Sequence, residues 1–206
     1  WRADWFDGIS DPERTRGVLE RLRNTLGEIP LLFTFRTSGE GGEKEIDVPA
    51  YVSLNESAAR SGMADLVDVE AFTESGAAEK IIEEAHSAGV RVIASNHDFY
   101  KTPSREEIIS RLVKMQDMGA DIAKIAVMPQ SRKDVLTLLA ATEEMVSGHA
   151  QIPVITMSMG ALGAISRVCG EVFGSAVTFG AVGRGSAPGQ LGAGELGTVL
   201  SILHNR

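Results

Sequence analysis

The sequence predicts an α/β fold in which helices cover a sheet of parallel strands. Short apolar strands alternate with amphipathic helices along the chain, and no two predicted helices occur in succession. Six of the eight residues at 121–128 are apolar, which is typical of a strand buried on both faces in a parallel sheet. Turn sequences typical of two-residue hairpins are missing between the strands. We therefore expect successive strand-then-helix units.

Six such units recur at a spacing of roughly 23 to 34 residues. This regularity favours a (β/α)8 barrel over a doubly wound sheet. The lack of a Gly-x-Gly-x-x-Gly turn at the start of a first helix favours the barrel as well. We expect one barrel domain over 1–206 that lacks its first strand-helix unit and most of its second strand. The predicted strands cover residues 31–36, 65–71, 90–95, 121–128, 153–157 and 176–181. The predicted helices cover residues 10–27, 49–61, 76–88, 102–118, 131–147, 160–173 and 193–204.

Capping residues mark the boundaries of two of these helices. Ser10 followed by Glu13 predicts a capping box at the start of the first helix, and Gly27 predicts its end. Thr102 followed by Pro103 predicts the N-cap and the first residue of a later helix. These signals are independent of the apolar pattern.

Composition restricts the class of protein. With 206 residues, 43% of them apolar, the chain can bury a sizeable core, and no apolar run reaches membrane-spanning length. The first residues do not resemble a signal peptide. The single cysteine, Cys169, excludes an internal disulfide and fits a reducing, cytoplasmic location. The net charge of −8 argues against a nucleic-acid partner but allows a small anionic ligand in a pocket with local arginines.

Reactive side chains collect at the carboxyl ends of the predicted strands, where parallel α/β folds bind ligands. Lys124 lies inside the apolar strand, and desolvation of an ammonium group lowers its pKa and makes the free amine available as a nucleophile. The alternative is that Lys124 pairs with a carboxylate such as Asp121. The other side chains at or just beyond strand ends are Arg36, Glu40, Asp68, Glu70, His97, Asp98, Arg167, Ser186 and Gln190.

These groups suit imine formation between Lys124 and a ketone on a polyhydroxylated acid. The imine would acidify the adjacent C–H, His97 would move protons, and an arginine would bind the carboxylate. Asp98 would either orient the His97 ring or cap the next turn. The glycine-rich segment 183–190 would serve as a phosphate-binding loop or as a closing loop. No second histidine or cysteine supplies a closed zinc site, so we expect no metal.

Several longer segments carry a more specific signal. Four of them read Ser95-Asn96-His97-Asp98-Phe99, Lys124-Ile125-Ala126-Val127-Met128-Pro129-Gln130, Ile155-Thr156-Met157-Ser158-Met159-Gly160 and Ser186-Ala187-Pro188-Gly189-Gln190. The segment Phe33-Thr34-Phe35-Arg36, with Glu40 after it, and the opening Trp1-Arg2-Ala3-Asp4 fit the same pattern. With these motifs in register from end to end, the chain resembles the type I 3-dehydroquinate dehydratases (type I dehydroquinases) of the shikimate pathway.

The resemblance implies a lyase that converts 3-dehydroquinate to 3-dehydroshikimate by syn elimination of water. It implies a (β/α)8 barrel that forms a homodimer, works in the cytoplasm and uses neither a metal nor an organic cofactor. Lys124 would be the Schiff-base lysine. His97 would be the general acid/base that takes the C2 proton and delivers it to the leaving hydroxyl.

The resemblance also implies how the substrate is bound. Arg167 would bind the substrate carboxylate, and two residues of the closing loop would assist. Arg36 would hold the side with the ring hydroxyls together with a second arginine, while an ion pair with Glu40 supports Arg36. The implied substrate-binding residues are Arg2, Arg36, Glu40, Arg167, Ser186 and Gln190.

One part of the family pattern is missing at the start of the chain. In the family, a glutamate stands immediately before the Trp-Arg pair and contributes to the substrate site, and a full strand-helix unit precedes it. The chain begins at Trp1 and contains neither. We therefore expect the biological protein to be longer upstream, and this chain alone to have reduced stability and activity.

Two other functions fit part of the pattern. A class I aldolase-type barrel would share the Lys124 imine and would use residues 183–190 as a phosphate site. A non-catalytic sugar-acid binding domain would keep the arginines but would not need both Lys124 and His97. A purely structural ion pair of Lys124 is disfavoured by the number of reactive groups at the strand ends.

Overall fold

The structure of the protein, a computed structural model, describes residues 1–74 and 76–204. The chain divides into two compact units. The first comprises residues 1–96 and 117–122, and the second comprises residues 97–116 and the chain from 123 onwards. The single domain expected over 1–206 stays a prediction. No helix in the described ranges is long and apolar enough to cross a membrane.

Three parallel strands lie in the first unit. They are β1 (Leu32–Thr34), β2 (Leu66–Glu70) and β3 (Arg91–Asp98), and the last two residues of β3 belong to the second unit. β2 pairs with both of the others, with Thr34 opposite Asp68 and Glu70 opposite Ser95. The helices of this unit are α1 (Pro12–Leu26), α2 (Val48–Arg60) and α3 (Ala77–Ser87).

Aromatic side chains fill much of the core of the first unit. Phe33 and Phe35, two residues apart on the β1 run, are both buried. The ring of Phe33 packs edge-on against Trp1 with centroids 5.6 Å apart, and Phe35 packs edge-on against Tyr51 at 6.4 Å. Edge-to-face packing of this kind stabilises aromatic pairs beyond the area that they bury.

The second unit is built around two paired parallel strands, β4 (Ile122–Val127) and β5 (Val154–Ser158), with Lys124 opposite Ile155. The first residue of β4 belongs to the first unit. The remaining helices are α4 (Arg105–Asp117), α5 (Arg132–Gly148), α6 (Gly160–Cys169) and α7 (Ala193–His204). A 3-10 turn over Gly170–Phe173 completes the helical segment expected at 160–173. The predicted α/β class with parallel strands is confirmed.

The sixth predicted strand, at 176–181, is wrong, because the described structure has no strand there. At its start, the Ala176 N–H donates to the Val154 carbonyl at 2.8 Å. At its end, Ala181 forms an isolated bridge with Gly192. Backbone hydrogen bonds hold the two ends of the segment, and no strand ladder forms between them.

Two serine hydroxyls take positions along β5 that a further strand would occupy. The Thr156 N–H donates to Ser175 Oγ at 3.0 Å, and the Ser158 N–H donates to Ser166 Oγ at 2.9 Å. These backbone donors are satisfied by side chains, so the neighbouring segment cannot pair with them as a strand.

The first helix begins one residue later than predicted. Asp11, rather than Ser10, is its N-cap, and the Asp11 carboxylate accepts the N–H groups of Glu13 and Arg14 at 3.0 and 3.2 Å. Carboxylates and hydroxyls are comparable N-caps, so the sequence alone does not separate the two. Gly27 ends the helix with φ 59°, as predicted.

The cap predicted at Thr102 is also wrong, because α4 begins at Arg105. The Thr102 hydroxyl donates instead to the Met128 carbonyl at 3.2 Å, which ties the chain before α4 to the residue after β4. Ser104 Oγ accepts the Glu107 N–H at 3.3 Å and serves the first turn of the helix.

Gly163 allows α6 to lie against the end of β5. A Cβ atom at this position would stand 2.4 Å from the backbone carbon and oxygen of Ser158. We expect Gly163→Ala to lower the free energy of unfolding by about 1–3 kcal/mol, because the helix must move away from the strand.

Gly197→Ala is the matched control on α7, where the new methyl group has open space. It should leave stability unchanged or raise it by up to about 1 kcal/mol through helix propensity. Urea titrations followed by circular dichroism measure both changes. Equal effects of the two substitutions would show that the contact with β5 does not matter.

Candidate active site

A buried arginine lies at the strand ends of the first unit. Arg36 follows β1 and is only 4% exposed. Its Nη2 lies 2.5 Å from Asp68 Oδ1, and its Nη1 lies 3.1 Å from Glu70 Oε1 and 3.0 Å from Ser95 Oγ. Glu40 Oε2 lies 3.4 Å from the same Nη1. We call these five residues the Arg36 cluster.

Strand register builds this cluster. Asp68 and Glu70 alternate along β2 and therefore point to the same face of the sheet. The pairing of β2 aligns Asp68 with Thr34 and Glu70 with Ser95. Arg36 stands two residues beyond Thr34, where its side chain reaches the same face. The strand-end pattern in the sequence thus corresponds to a real assembly of charges.

Three carboxylates face one guanidinium in the Arg36 cluster. Burial alone would lower the pKa of Arg36, but Asp68, Glu70 and Glu40 raise it above its ordinary value. For Glu40, burial raises the pKa to about 8, helped by the charges of Glu70 and Asp68 and opposed by Arg36 and a hydrogen bond from Asn96. Glu40 is therefore largely protonated at neutral pH.

The raised pKa of Glu40 makes the protein less stable as pH rises. Between about pH 5 and 8 the folded protein keeps a proton that the unfolded chain has lost, so the free energy of unfolding falls by up to about 1.4 kcal/mol per pH unit. We expect Glu40→Gln to remove this decline, which denaturant titrations at a series of pH values measure. Glu45→Gln, a change at an exposed carboxylate of the same loop, is the control. Parallel pH profiles for the Glu40 variant and the unsubstituted protein would contradict the prediction.

Glu70 also fixes the turn that follows β1. Its carboxylate accepts the backbone N–H and the hydroxyl of Thr37, both at 2.8 Å. Its own N–H donates to the hydroxyl of buried Tyr51 at 2.9 Å. Gly42 packs so tightly on this turn that a Cβ would lie 1.9 Å from the Arg36 carbonyl oxygen. The loop that presents Arg36 is therefore held on several sides.

A second arginine of the first unit lies at the start of the chain. Arg2 Nε donates to Asp4 Oδ1 at 2.8 Å, and Arg2 Nη2 donates to Asp4 Oδ2 at 2.7 Å. A backbone bridge joins Arg2 to Thr34 at the end of β1. Asp4 is not among the predicted site residues, and the one signal for it in the sequence is a carboxylate two residues after an arginine.

Lys124 lies on β4 in the second unit. Its side chain is 7% exposed, and both neighbouring residues in the strand are buried. Its Nζ lies 5.0 Å from the centre of the Phe179 ring. On the adjacent strand, Met157 is also buried. The sequence pattern does not predict the contact with Phe179, because that residue lies in a segment that reads as a strand.

Asp121, the carboxylate considered as an alternative partner of Lys124, belongs to the first unit. There its Oδ2 lies 2.8 Å from His86 Nε2 and accepts the Val92 N–H at 2.8 Å. Arg91 Nη1 lies 3.3 Å from the other oxygen. The Asp121 carboxylate therefore has a structural role at the start of β3.

His97 lies near the end of β3 and is half-buried. Of the two roles considered for the next residue, the structure has the second, since Asp98 Oδ1 accepts the N–H groups of Tyr100 and Lys101, each at 2.9 Å. Asp98 therefore caps the turn that follows the strand.

Arg167, on α6, is a buried cation with no acidic partner among the described residues. It is 2% exposed, and burial lowers its pKa below the ordinary value. Its Nη2 donates to the Pro188 carbonyl at 3.2 Å, and its Nη1 lies 3.5 Å from Met157 Sδ. Its Nε is buried without a hydrogen-bond partner in the described structure. A cation in this state is suited to binding an anion.

The loop that holds Ser186 and Gln190 packs on the start of α6. Gln190 Oε1 accepts the Ser186 N–H at 2.7 Å and its hydroxyl at 3.2 Å. The Pro188 carbonyl also accepts the Gly160 N–H at 3.1 Å. Gly189, at φ 72°, approaches so closely that a Cβ would lie 2.2 Å from the Gly160 oxygen. The loop is therefore held by hydrogen bonds within itself and by contacts with the start of α6.

The predicted site residues fall into two groups. In the first unit Arg36 and Glu40 are in contact, and in the second Arg167 contacts the loop between Ser186 and Gln190. Within the described ranges, no three or more His, Cys, Asp or Glu side chains are arranged to hold a metal ion. The first group is Arg2, Arg36 and Glu40, and the second is His97, Lys124, Arg167, Ser186 and Gln190.

Comparison with known proteins identifies the family. The sequence model of the type I 3-dehydroquinases matches residues 1–206. The chain belongs to the type I 3-dehydroquinase family. Two relatives named 3-dehydroquinate dehydratase, from Klebsiella pneumoniae (strain 342) and Clostridioides difficile (strain 630), are 54% and 52% identical to it. The matches cover 98% and 99% of this chain and 81% and 80% of the relatives.

Solved structures of 3-dehydroquinate dehydratases agree. The enzyme from Clostridium difficile with covalently modified comenic acid matches 100% of this chain and 80% of its own, with a TM-score of 0.96 and 52% identity. The 3-dehydroquinate dehydratase from Geobacillus kaustophilus HTA426 also gives 0.96, at 44% identity, covering 100% of this chain and 79% of its own. The predicted family, the α/β fold class and the prediction of an enzyme are confirmed.

Proposed function

We propose that the protein dehydrates 3-dehydroquinate to 3-dehydroshikimate through a Schiff base on Lys124. The observation that carries this proposal is the position of Lys124 on a buried strand, with its amine facing an aromatic ring and its side chain 7% exposed. Shielding an amine from water suits it to attack a ketone. Family membership supplies the substrate class.

The chemical steps follow from the amine. The Lys124 nitrogen attacks the C3 ketone, and loss of water gives the imine, which acidifies the C2–H bond. His97 takes the C2 proton, and the C–H electrons form an enamine. His97 then returns the proton to the C1 hydroxyl, which leaves as water while the enamine electrons form the C1–C2 double bond. Hydrolysis of the conjugated imine releases the product and restores the amine.

Arg167 is the proposed partner of the substrate carboxylate. Its burial without an acidic partner among the described residues favours an incoming anion, and its Nη2 contact with Pro188 links it to the loop. Ser186 and Gln190 on that loop are proposed to contact the substrate when it binds.

The side of the substrate with the ring hydroxyls is assigned to Arg36 and Arg2. The hydrogen bond from Arg36 Nη1 to Glu40 Oε2, at 3.4 Å, supports the orientation of the guanidinium. Family membership further supports a homodimer, a place in the shikimate pathway, a cytoplasmic location and catalysis without a metal or organic cofactor, all of which are proposals.

The aldolase alternative receives less support from the loop at 183–190. A phosphate site there would need unengaged backbone N–H groups, whereas the Ser186 N–H is bonded to Gln190 Oε1 at 2.7 Å. The binding-domain alternative does not account for a buried amine that faces an aromatic ring. It stays an outcome of the test below.

The test is borohydride reduction in the presence of 3-dehydroquinate, followed by intact-protein mass spectrometry and a peptide map. We expect one reduced adduct on Lys124 and none with quinate, which has no ketone and forms no imine. Calorimetric binding of 3-dehydroquinate without an adduct would favour the sugar-acid binding domain. Inhibition by inorganic phosphate at low concentration would favour the aldolase.

A further inference from the structure

Asp4 is a fully buried carboxylate that accepts four hydrogen bonds. Two come from Arg2, from Nε at 2.8 Å and from Nη2 at 2.7 Å. The backbone N–H groups of Glu43 and Arg36 donate to the same carboxylate at 3.1 and 3.4 Å. Asp4 itself is 0% exposed. All of these partners lie in the first unit.

The four donors keep Asp4 ionised. Burial alone would raise its pKa, but the hydrogen bond and charge of Arg2, with the backbone N–H groups of Glu43 and Arg36, hold the pKa below its ordinary value. Lys44 Nζ also donates to the Asp4 carbonyl at 2.8 Å. The carboxylate and the backbone carbonyl of Asp4 are therefore both held by residues of the segment 36–44.

The hydrogen bonds to the Asp4 carboxylate restrict the orientation of the Arg2 guanidinium. A guanidinium that donates through Nε and Nη2 to both oxygens of one carboxylate is held in a single plane. Its carbon also lies 5.6 Å from the centre of the Trp5 ring. Arg2 is 22% exposed, so a partly accessible cation is held by a carboxylate that is itself fully buried.

We propose that Asp4 is a positioning residue that sets the direction of the Arg2 guanidinium for substrate binding. This inference rests on the proposed function, which assigns Arg2 to the substrate. The competing role is purely structural: Asp4 would join the chain start to the loop at 36–43 through the two backbone N–H groups, and Arg2 would only neutralise its charge.

A double-mutant cycle separates these roles. In Asp4→Asn one of the two oxygens becomes an amide, which cannot accept from Arg2, so the fork is broken while the shape is kept. We expect KM for 3-dehydroquinate to rise about 10-fold, worth about 1.4 kcal/mol, with little change in kcat. In an Arg2→Ala background, the same Asp4 change should alter KM less than about 2-fold. Urea titration reports the stability cost of each variant separately.

An equal rise of KM in both backgrounds would overturn the proposal, since Asp4 would then act independently of Arg2. Arg2→Lys provides a second test in which Asp4 is intact. It keeps the charge but cannot form the fork, so we expect KM to rise as in Arg2→Ala, and an unchanged KM would also overturn the proposal. Failure of the proposed function shows separately, as absence of 3-dehydroquinate turnover by the unsubstituted protein or as an unchanged KM in Arg2→Ala.

Discussion

Lys124→Ala is expected to lower the turnover of 3-dehydroquinate by at least about 10⁴-fold and to eliminate the borohydride-trapped adduct. In the proposed mechanism, Lys124 is the amine that forms the imine. Without the imine, the C2 proton is not acidified. Steady-state assays of product absorbance and intact mass spectrometry measure the two effects.

The matched control is Lys133→Ala, which removes an exposed lysine of α5 in the same unit. It should keep both turnover and adduct. His97→Ala should reduce turnover strongly yet still allow slow trapping on Lys124, because the nucleophile is intact while proton transfer is lost. Near-normal turnover by Lys124→Ala would remove the Schiff-base mechanism altogether.

Arg36→Met is expected to lower the free energy of unfolding by about 3–5 kcal/mol at neutral pH. The substitution leaves the carboxylates of Asp68 and Glu70 buried without their cation, 2.5 and 3.1 Å from where the guanidinium nitrogens stood. An uncompensated buried charge is more costly than the loss of the ion pair itself.

Urea titrations at neutral pH measure this loss. Arg16→Met, at an exposed pair with Glu20, should have little effect, and a similar loss there would refute the explanation.

Strands were predictable where a run of apolar residues stands alone, as in β4 with Lys124 at its centre. The segment 176–181 has the same kind of run, yet it is not a strand, because the hydroxyl of Ser175 takes the Thr156 N–H. Competition between a side-chain acceptor and a backbone ladder is a three-dimensional matter. A linear pattern carries no sign of it.

The same limit applies to the candidate site. The strand-end rule selected Arg36, Asp68 and Glu70 correctly as neighbours, because register follows from parallel pairing. It did not predict that three carboxyl groups would share one guanidinium, or that Arg167 would be buried without an acid among the described residues. Both depend on which long side chains meet after folding. Asp4 was missed for the same reason.

The serine contacts of β5 have a consequence for solubility. A strand whose outward N–H groups are unbonded can template the addition of a strand from another molecule. In β5 the outward donors of Thr156 and Ser158 are each occupied by a hydroxyl from the same chain. A hydroxyl can fill such a position but cannot extend a ladder beyond itself. This side of β5 is therefore sealed against intermolecular pairing by two small side chains.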